Sequence, residues 1–214
     1  MKKAGIIVVA LCMVAMAKAQ NGDSEAKTLL NQVSQKIESY GNIQLEFKYA
    51  LENTAENVTH ETRGDVTLEG EKYVLNIMGT TRIFDGKKIY TIIPEDEEIN
   101  ISDYDPSNDE DITPSKMLTF YKEGYTYKMD ILQNVKGRKI QYVQLTPMDS
   151  DAEIKKILLG IDQHTHHIYN LIQTQDNGTK ITITVKSFRT DQPLPDTMFR
   201  FEEDKYKGYY INRF

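Results

Sequence analysis

The sequence predicts a mainly β chain, α+β in the strict sense, whose strands build one curled antiparallel sheet around a hollow. Three observations predict it. From Ile43 to Ile101 one strand-like run follows another with only tight turns between them. Within the runs apolar residues recur at every second position, the pattern of a strand that is wet on one face and covered on the other. The chain also offers only one good helix and one short one. About eleven strands at roughly 4.8 Å each span about 50 Å, against about 10 Å for a helix, so helices alone do not cover the sheet. Such a sheet has to close or nearly close on itself, and a barrel of that many strands encloses more room than its own side chains fill.

The chain opens with Met1-Lys2-Lys3, an apolar run from Gly5 to Met16, and Ala17-Lys18-Ala19. These are the charged, hydrophobic and small-residue sections of a secretory signal peptide, with cleavage expected before Gln20. The alternative, a membrane anchor, needs about twenty apolar residues, more than this run supplies. Cys12 follows Leu11, where a lipidation signal would carry a small residue. Removing residues 1–19 from 214 leaves 195, suited to one domain over 20–214, and takes away the single cysteine. A domain of that size stands on its own core without disulfides. The loss of Lys2, Lys3 and Lys18 moves the formal charge from −6 to −9. An acidic surface argues against nucleic acid and against residence on an anionic membrane. A soluble, exported, monomeric protein is expected.

Residues 24–40 place Ala26, Leu29, Leu30, Val33, Ile37 and Tyr40 on one helical stripe, with Ser24 to cap the start and Gly41 to end it. Ile43, Leu45, Phe47, Tyr49 and Leu51 alternate with Gln44, Glu46 and Lys48 in the first strand. Strands follow around Thr59 to Glu69, Lys72 to Met78, Arg82 to Phe84, Lys88 to Ile93 and Ile99 to Ile101. Asp85-Gly86 is a strong hairpin signal, and connections this short favour antiparallel neighbours. The acidic run Ser102 to Asp111 alternates like a calcium loop but lacks the glycine that loop requires, so a solvated loop is expected. Thr113-Pro114 starts the short helix with Met117, Leu118, Phe120 and Tyr121. Strands then return at Tyr125 to Leu132, Arg138 to Thr146, Ile154 to Asp162, His167 to Gln175 and Lys180 to Phe188. Shorter pieces lie near Met198 to Phe201 and Tyr209 to Ile211, and Asn177-Gly178 marks another hairpin. His164, His166 and His167 have no carboxylate or cysteine beside them that would complete a metal site, and no metal or other cofactor is expected.

A series of residues resembles a known family. Leu29-Leu30, Phe47, Gly64-Asp65-Val66, Asp85-Gly86-Lys87 with Tyr90 and Pro94, Thr113-Pro114, Leu145-Thr146-Pro147, Asp162, Asp176 and Phe199-Arg200-Phe201 fall in order along Ala26 to Glu203. The order and spacing are similar to those of the periplasmic outer-membrane lipoprotein carrier family, LolA. The resemblance implies an incomplete antiparallel β-barrel with helices forming a lid over a hydrophobic cavity for lipoprotein acyl chains. It implies two protein partners: an ATP-driven, ABC-type release complex in the inner membrane and a lipoprotein receptor on the outer membrane. The family's best-known members carry an arginine just after the Gly-Asp strand, whose lid contacts help control cargo hand-over; here Gly70 stands in that place, and Arg82 is nearby.

The expected acyl-chain lining is Leu45, Phe47, Tyr49, Val66, Leu68, Tyr73, Leu75, Ile77, Ile83, Tyr90 and Ile92, with Leu30, Val33, Met117, Leu118 and Phe120 on the lid. Alternation predicts a buried face without saying whether protein or guest fills it, so core packing stays open for each. Val74, Met78 and Ile89 fall on the opposite parity. No nucleophile elbow, phosphate loop or ligand cluster points to catalysis. The expected role is a carrier; the alternative is an envelope sensor that binds acyl chains without moving them, and a structural β protein with a filled interior is a third.

Overall fold

The computed structural model describes residues 23–105 and 113–214. The predicted signal peptide and the centre of the acidic loop lie outside the described residues. Contacts divide the chain into two compact units, each built from two separate stretches. One comprises the residues up to Lys36 with Tyr121–Asn177; the other comprises Ile37–Phe120 with Gly178–Phe214. Among the described residues there are twelve strands, against about eleven expected, so the chain is mainly β.

The first unit holds most of helix α1 (residues 23–38) and the strands β7 (Tyr125–Val135), β8 (Arg138–Pro147), β9 (Ile154–Asp162) and β10 (Ile168–Gln175). The strands pair antiparallel in the order β10-β9-β8-β7. Ala26, Leu30 and Val33 form the buried stripe of α1, as their spacing predicts. Ser34 shares a buried hydrogen bond of 3.0 Å with the Tyr121 hydroxyl. Ile140, Val143, Leu145, Ile157, Leu159 and Ile161 are all but inaccessible, and in β8 the adjacent Tyr142 and Val143 are both buried. Burial of neighbouring residues means that the strand is covered on both faces there.

The β9–β10 turn is built by Asp162, which explains the histidine cluster. Its carboxylate accepts the amide N–H groups of His164 and Thr165 at 2.8 and 3.2 Å and pairs with Arg138 Nε at 2.7 Å. Burial works to raise the Asp162 pKa, but the Arg138 and amide donors outweigh it and hold it below the usual carboxylate value. The stability this contributes is present above the unfolded carboxylate pKa, about 3.9, and is lost as pH falls toward the lower folded value. An Asp162→Asn protein is therefore expected to lose about 1–3 kcal/mol at neutral pH. Its urea midpoint should also change less than that of the unaltered protein between pH 5 and pH 2; equal pH responses would rule out this role for Asp162.

The second unit carries β1 (Ile43–Asn53), β2 (Val58–Glu69), β3 (Lys72–Ile77), β4 (Thr80–Phe84), β5 (Lys88–Ile93), β6 (Glu98–Asp103), β11 (Lys180–Thr190) and β12 (Tyr210–Arg213). Their order is β12-β6-β5-β4-β3-β2-β1-β11, and within the unit the two outer strands do not pair, so the ladder is open. Every ladder is antiparallel except one: β12 runs parallel to β6, with Ile211 opposite Ile99. A parallel neighbour needs a crossover of a dozen residues or more, and the stretch from Asp103 at the end of β6 to Tyr210 at the start of β12 far exceeds that. Met198–Phe201, expected as a short strand, is a turn and irregular segment instead.

Tight turns set the register. β3 and β4 are joined by Met78 and Gly79 alone, both with positive φ, so Ile77 lies opposite Thr80 and Tyr73 opposite Phe84. At the β4–β5 turn the Asp85 carboxylate accepts the amides of Lys87 and Lys88, both at 2.8 Å, and the Tyr90 hydroxyl at 2.9 Å. Burial together with that bond to a carboxylate pushes the Tyr90 pKa up to about 12.

Gly64 shows why its position demands glycine. A Cβ there would lie 2.6 Å from the Phe47 ring and 2.7 Å from the Asn76 carbonyl oxygen. The ring can swing, but the carbonyl belongs to the β2–β3 ladder. Gly64→Ala is therefore expected to cost about 1–3 kcal/mol, the usual range for overpacking. A denaturation midpoint equal to that of the unaltered protein would show the strand yielding freely.

Candidate functional site: an apolar recess beneath the short helix

Directly opposed residues share a face, so the registers define rows across the sheet. One row is Ile43, Leu68, Tyr73, Phe84 and Ile89, running from β1 to β5, and all five are buried. The next is Leu45, Val66 and Leu75, turning polar at Arg82 and Thr91. A third holds Phe47, Gly64, Ile77 and Thr80. Apolar character on this face is thus concentrated in one band.

A recess of about 380 Å3 lies against that band, at the small end of the range for small-molecule pockets. Its apolar wall comes from Ile37, Ile43, Leu68, Phe84, Tyr104 and Leu118. Phe84 is held between Tyr73 and Tyr104, with ring centroids 5.7 and 4.7 Å away. Glu38, Glu71 and Lys116 bring charge to the same recess. Helix α2 (Pro114–Met117) covers it from the β2–β3 side. Thr113 caps α2 by accepting the Lys116 amide at 3.2 Å, with proline in the first turn as expected. Ser115 Oγ donates to the Gly70 carbonyl at 3.4 Å, tying the helix to the turn between β2 and β3. Gly70 has φ of 58°, a conformation that glycine adopts at little cost.

The expected lining divides. Leu45, Phe47, Tyr49, Val66, Leu68, Tyr73, Leu75 and Ile77 share the face of the recess, although Phe47, Tyr49, Leu75 and Ile77 are only half-buried. Only Leu68 among them lines the recess itself. Ile83, Tyr90 and Ile92 lie on the opposite face, because the two-residue turn sets Val74, not Tyr73, opposite Ile83. There Ile83 and Ile92 join Ile99 and Ile101, and Tyr90, Phe201, Tyr206 and Ile211 pack over them. That face is filled by the protein's own side chains, with Phe201 stacked on Tyr90 at 4.7 Å. Of the lid residues, Leu118 lines the recess, Met117 is 40% exposed and Phe120 is half-buried. Leu30 and Val33 are buried within the first unit. Ile37, Ile43, Phe84 and Tyr104 lie outside the expected set; counting the register back from Met78-Gly79 identifies Phe84.

Among the described residues no group of three or more His, Cys, Asp or Glu side chains is placed to hold a metal ion. No helix among them is long and apolar enough to cross a membrane.

Fold and recess define a class: a mainly β protein whose open sheet carries an apolar recess under a short helical cover. The family model described as outer membrane lipoprotein carrier protein LolA matches residues 38–202. The chain belongs to that family. Among solved structures, an uncharacterized conserved protein from Thermus thermophilus is similar in fold with a TM-score of 0.60 at 10% identity, covering 89% of this chain and 99% of that one. A LolA superfamily protein from Nitrosomonas europaea matches with a TM-score of 0.45 at 12% identity, covering 82% and 97%. No curated protein matches closely enough to count as a relative.

Proposed function

We propose that this protein is a periplasmic carrier that shelters lipoprotein acyl chains from water and performs no bond chemistry. In this reading it collects cargo from an ATP-driven release complex of the inner membrane and delivers it to a receptor on the outer membrane. The single observation that carries the proposal is the recess itself, where Leu68 and Phe84 meet an apolar wall that α2 covers from above. Each methylene kept from water is worth about 0.8 kcal/mol, so one long chain represents on the order of 10 kcal/mol. A carrier has to stay below that value to release what it holds, and a small recess with a charged rim suits moderate affinity. Membership of the family supports the same ligand class.

The test supplies purified protein with a fluorescent fatty-acyl probe, and separately with inner-membrane vesicles bearing lipoprotein. Probe uptake is expected, together with lipoprotein extraction that requires the release complex and ATP. Uptake without extraction would reduce the protein to an acyl-chain binder or sensor; neither uptake nor extraction would end the proposal.

A further inference from the structure

The larger recess of the second unit, about 880 Å3, is a different one. It lies where the β3–β4 hairpin stops. β2 pairs with β3 only from Gly64 to Glu69, whereas its pairing with β1 continues to Val58. Residues 58–63 therefore present, on the side away from β1, backbone donors and acceptors with no ladder partner among the described residues. The hairpin tip bordering this gap is unusual. Met78 has φ of 51° and is 54% exposed, where asparagine or glycine would ordinarily make such a turn.

Charge decides what fits. Glu46, Lys48, Glu61, Arg63, Asp65 and Lys186 surround the recess. Each carboxylate is engaged: Glu61 by Lys48 at 2.5 Å, Glu46 by Arg189 at 3.6 Å, and Asp65 by the Asn76 amide at 2.8 Å. Arg63 and Lys186 have no ion-pair partner among the described residues. With Arg189 counted, the four cations Lys48, Arg63, Lys186 and Arg189 stand against the three carboxylates, because the neutral Asn76 amide leaves Asp65 charged; a protein of net charge −6 thus leaves a surplus of one positive charge beside a free strand edge.

We infer that this recess binds an extended acidic peptide, which adds as a strand along residues 58–63 in line with β3. Main-chain bonds to the edge supply affinity and alternate side chains supply selectivity, as in other strand-addition sites. A strand laid there puts every second side chain on the face of Phe47 and Ile77 and the others on the face of Arg63. The occupant is therefore a segment alternating apolar with acidic residues. The site is separate from the acyl recess and does not depend on it.

The experiment uses the full chain and a fluorescein-labelled ten-residue peptide of alternating Val and Asp, read by anisotropy. Binding is expected to weaken at least tenfold in a protein carrying Arg63→Glu and Lys186→Glu, and likewise for a peptide with Lys in place of Asp. Both side chains are exposed, so the fold is expected to survive, checked by an unchanged urea midpoint and unchanged acyl-probe binding. N-methylating alternate amides along one edge of the peptide is expected to abolish binding, and along the other edge to spare it. Absent binding, indifference to charge reversal, or equal responses to the two methylation patterns would overturn the inference. Binding of anionic vesicles without binding of peptide would overturn it too, as would a concentration-dependent dimer, dissolved by the double substitution, that excludes the peptide.

Discussion

A Leu68→Glu protein is expected to bind a fatty-acyl probe at least tenfold more weakly than the unaltered protein. Leu68 is 4% exposed, lies between Ile43 and Tyr73 in the buried row, and reaches the recess. Since Leu68 is already buried in the empty recess, a guest gains little new burial from it, and the expected loss of affinity comes from the charge that replaces it. An unpaired charge in apolar surroundings has to be neutralised or drags water in, and either disfavours an acyl chain. Leu68 also belongs to the β1–β2–β3 ladders, so folding is checked by circular dichroism. Leu118→Ser offers a parallel test from the cover, where no ladder is disturbed. Folded variants that both keep full affinity would remove the recess as the binding place.

Phe84→Ala is expected to have the largest effect on stability, about 3–5 kcal/mol, because a buried aromatic leaves a void that its surroundings fill only partly. Phe84 is 1% exposed and touches Tyr73 and Tyr104. The neighbouring Ile83→Ala makes the informative contrast. Ile83 is 8% exposed, but on the face covered by Tyr90 and the segment around Phe201. It should destabilise by about 2–5 kcal/mol and leave probe affinity unaltered, whereas Phe84→Ala should change both. Urea denaturation and probe titration on the pair would expose an error in the assignment of faces if the affinities moved together.

How much of this is legible in the sequence depends on distance along the chain. Asp85-Gly86 announces its hairpin because one carboxylate can satisfy two nearby amides, and the structure uses it so. The stripe Ala26, Leu30, Val33 and Ile37 is likewise a local signal, and its residues are buried. Ile83, Tyr90 and Ile92 fall on the other face from the expected one because alternation within a strand carries no absolute sign. Only the turn length connects the sign of one strand to the next, and Met78-Gly79 does not advertise a two-residue turn. The parallel pairing of β12 is illegible for another reason. Tyr210 to Arg213 is short and half polar, and its partner is more than a hundred positions away. The recess itself draws on Ile37 in α1, Tyr104 after β6 and Leu118 after α2, segments that no strand pattern links.

The ladders at the two flanks of the second unit have a consequence for how the polypeptide reaches this state. Ile43 meets Thr190, and Ile99 meets Ile211, so early segments are completed only by much later ones. Loops of that length are slow to close, and until they do, a nascent polypeptide displays the greasy flank of its opening meander to everything around it. Completion of the sheet in this unit therefore has to await β11 and β12. Until that closure, the unpaired flanks of β1 and β6 are open to pairing with other polypeptides.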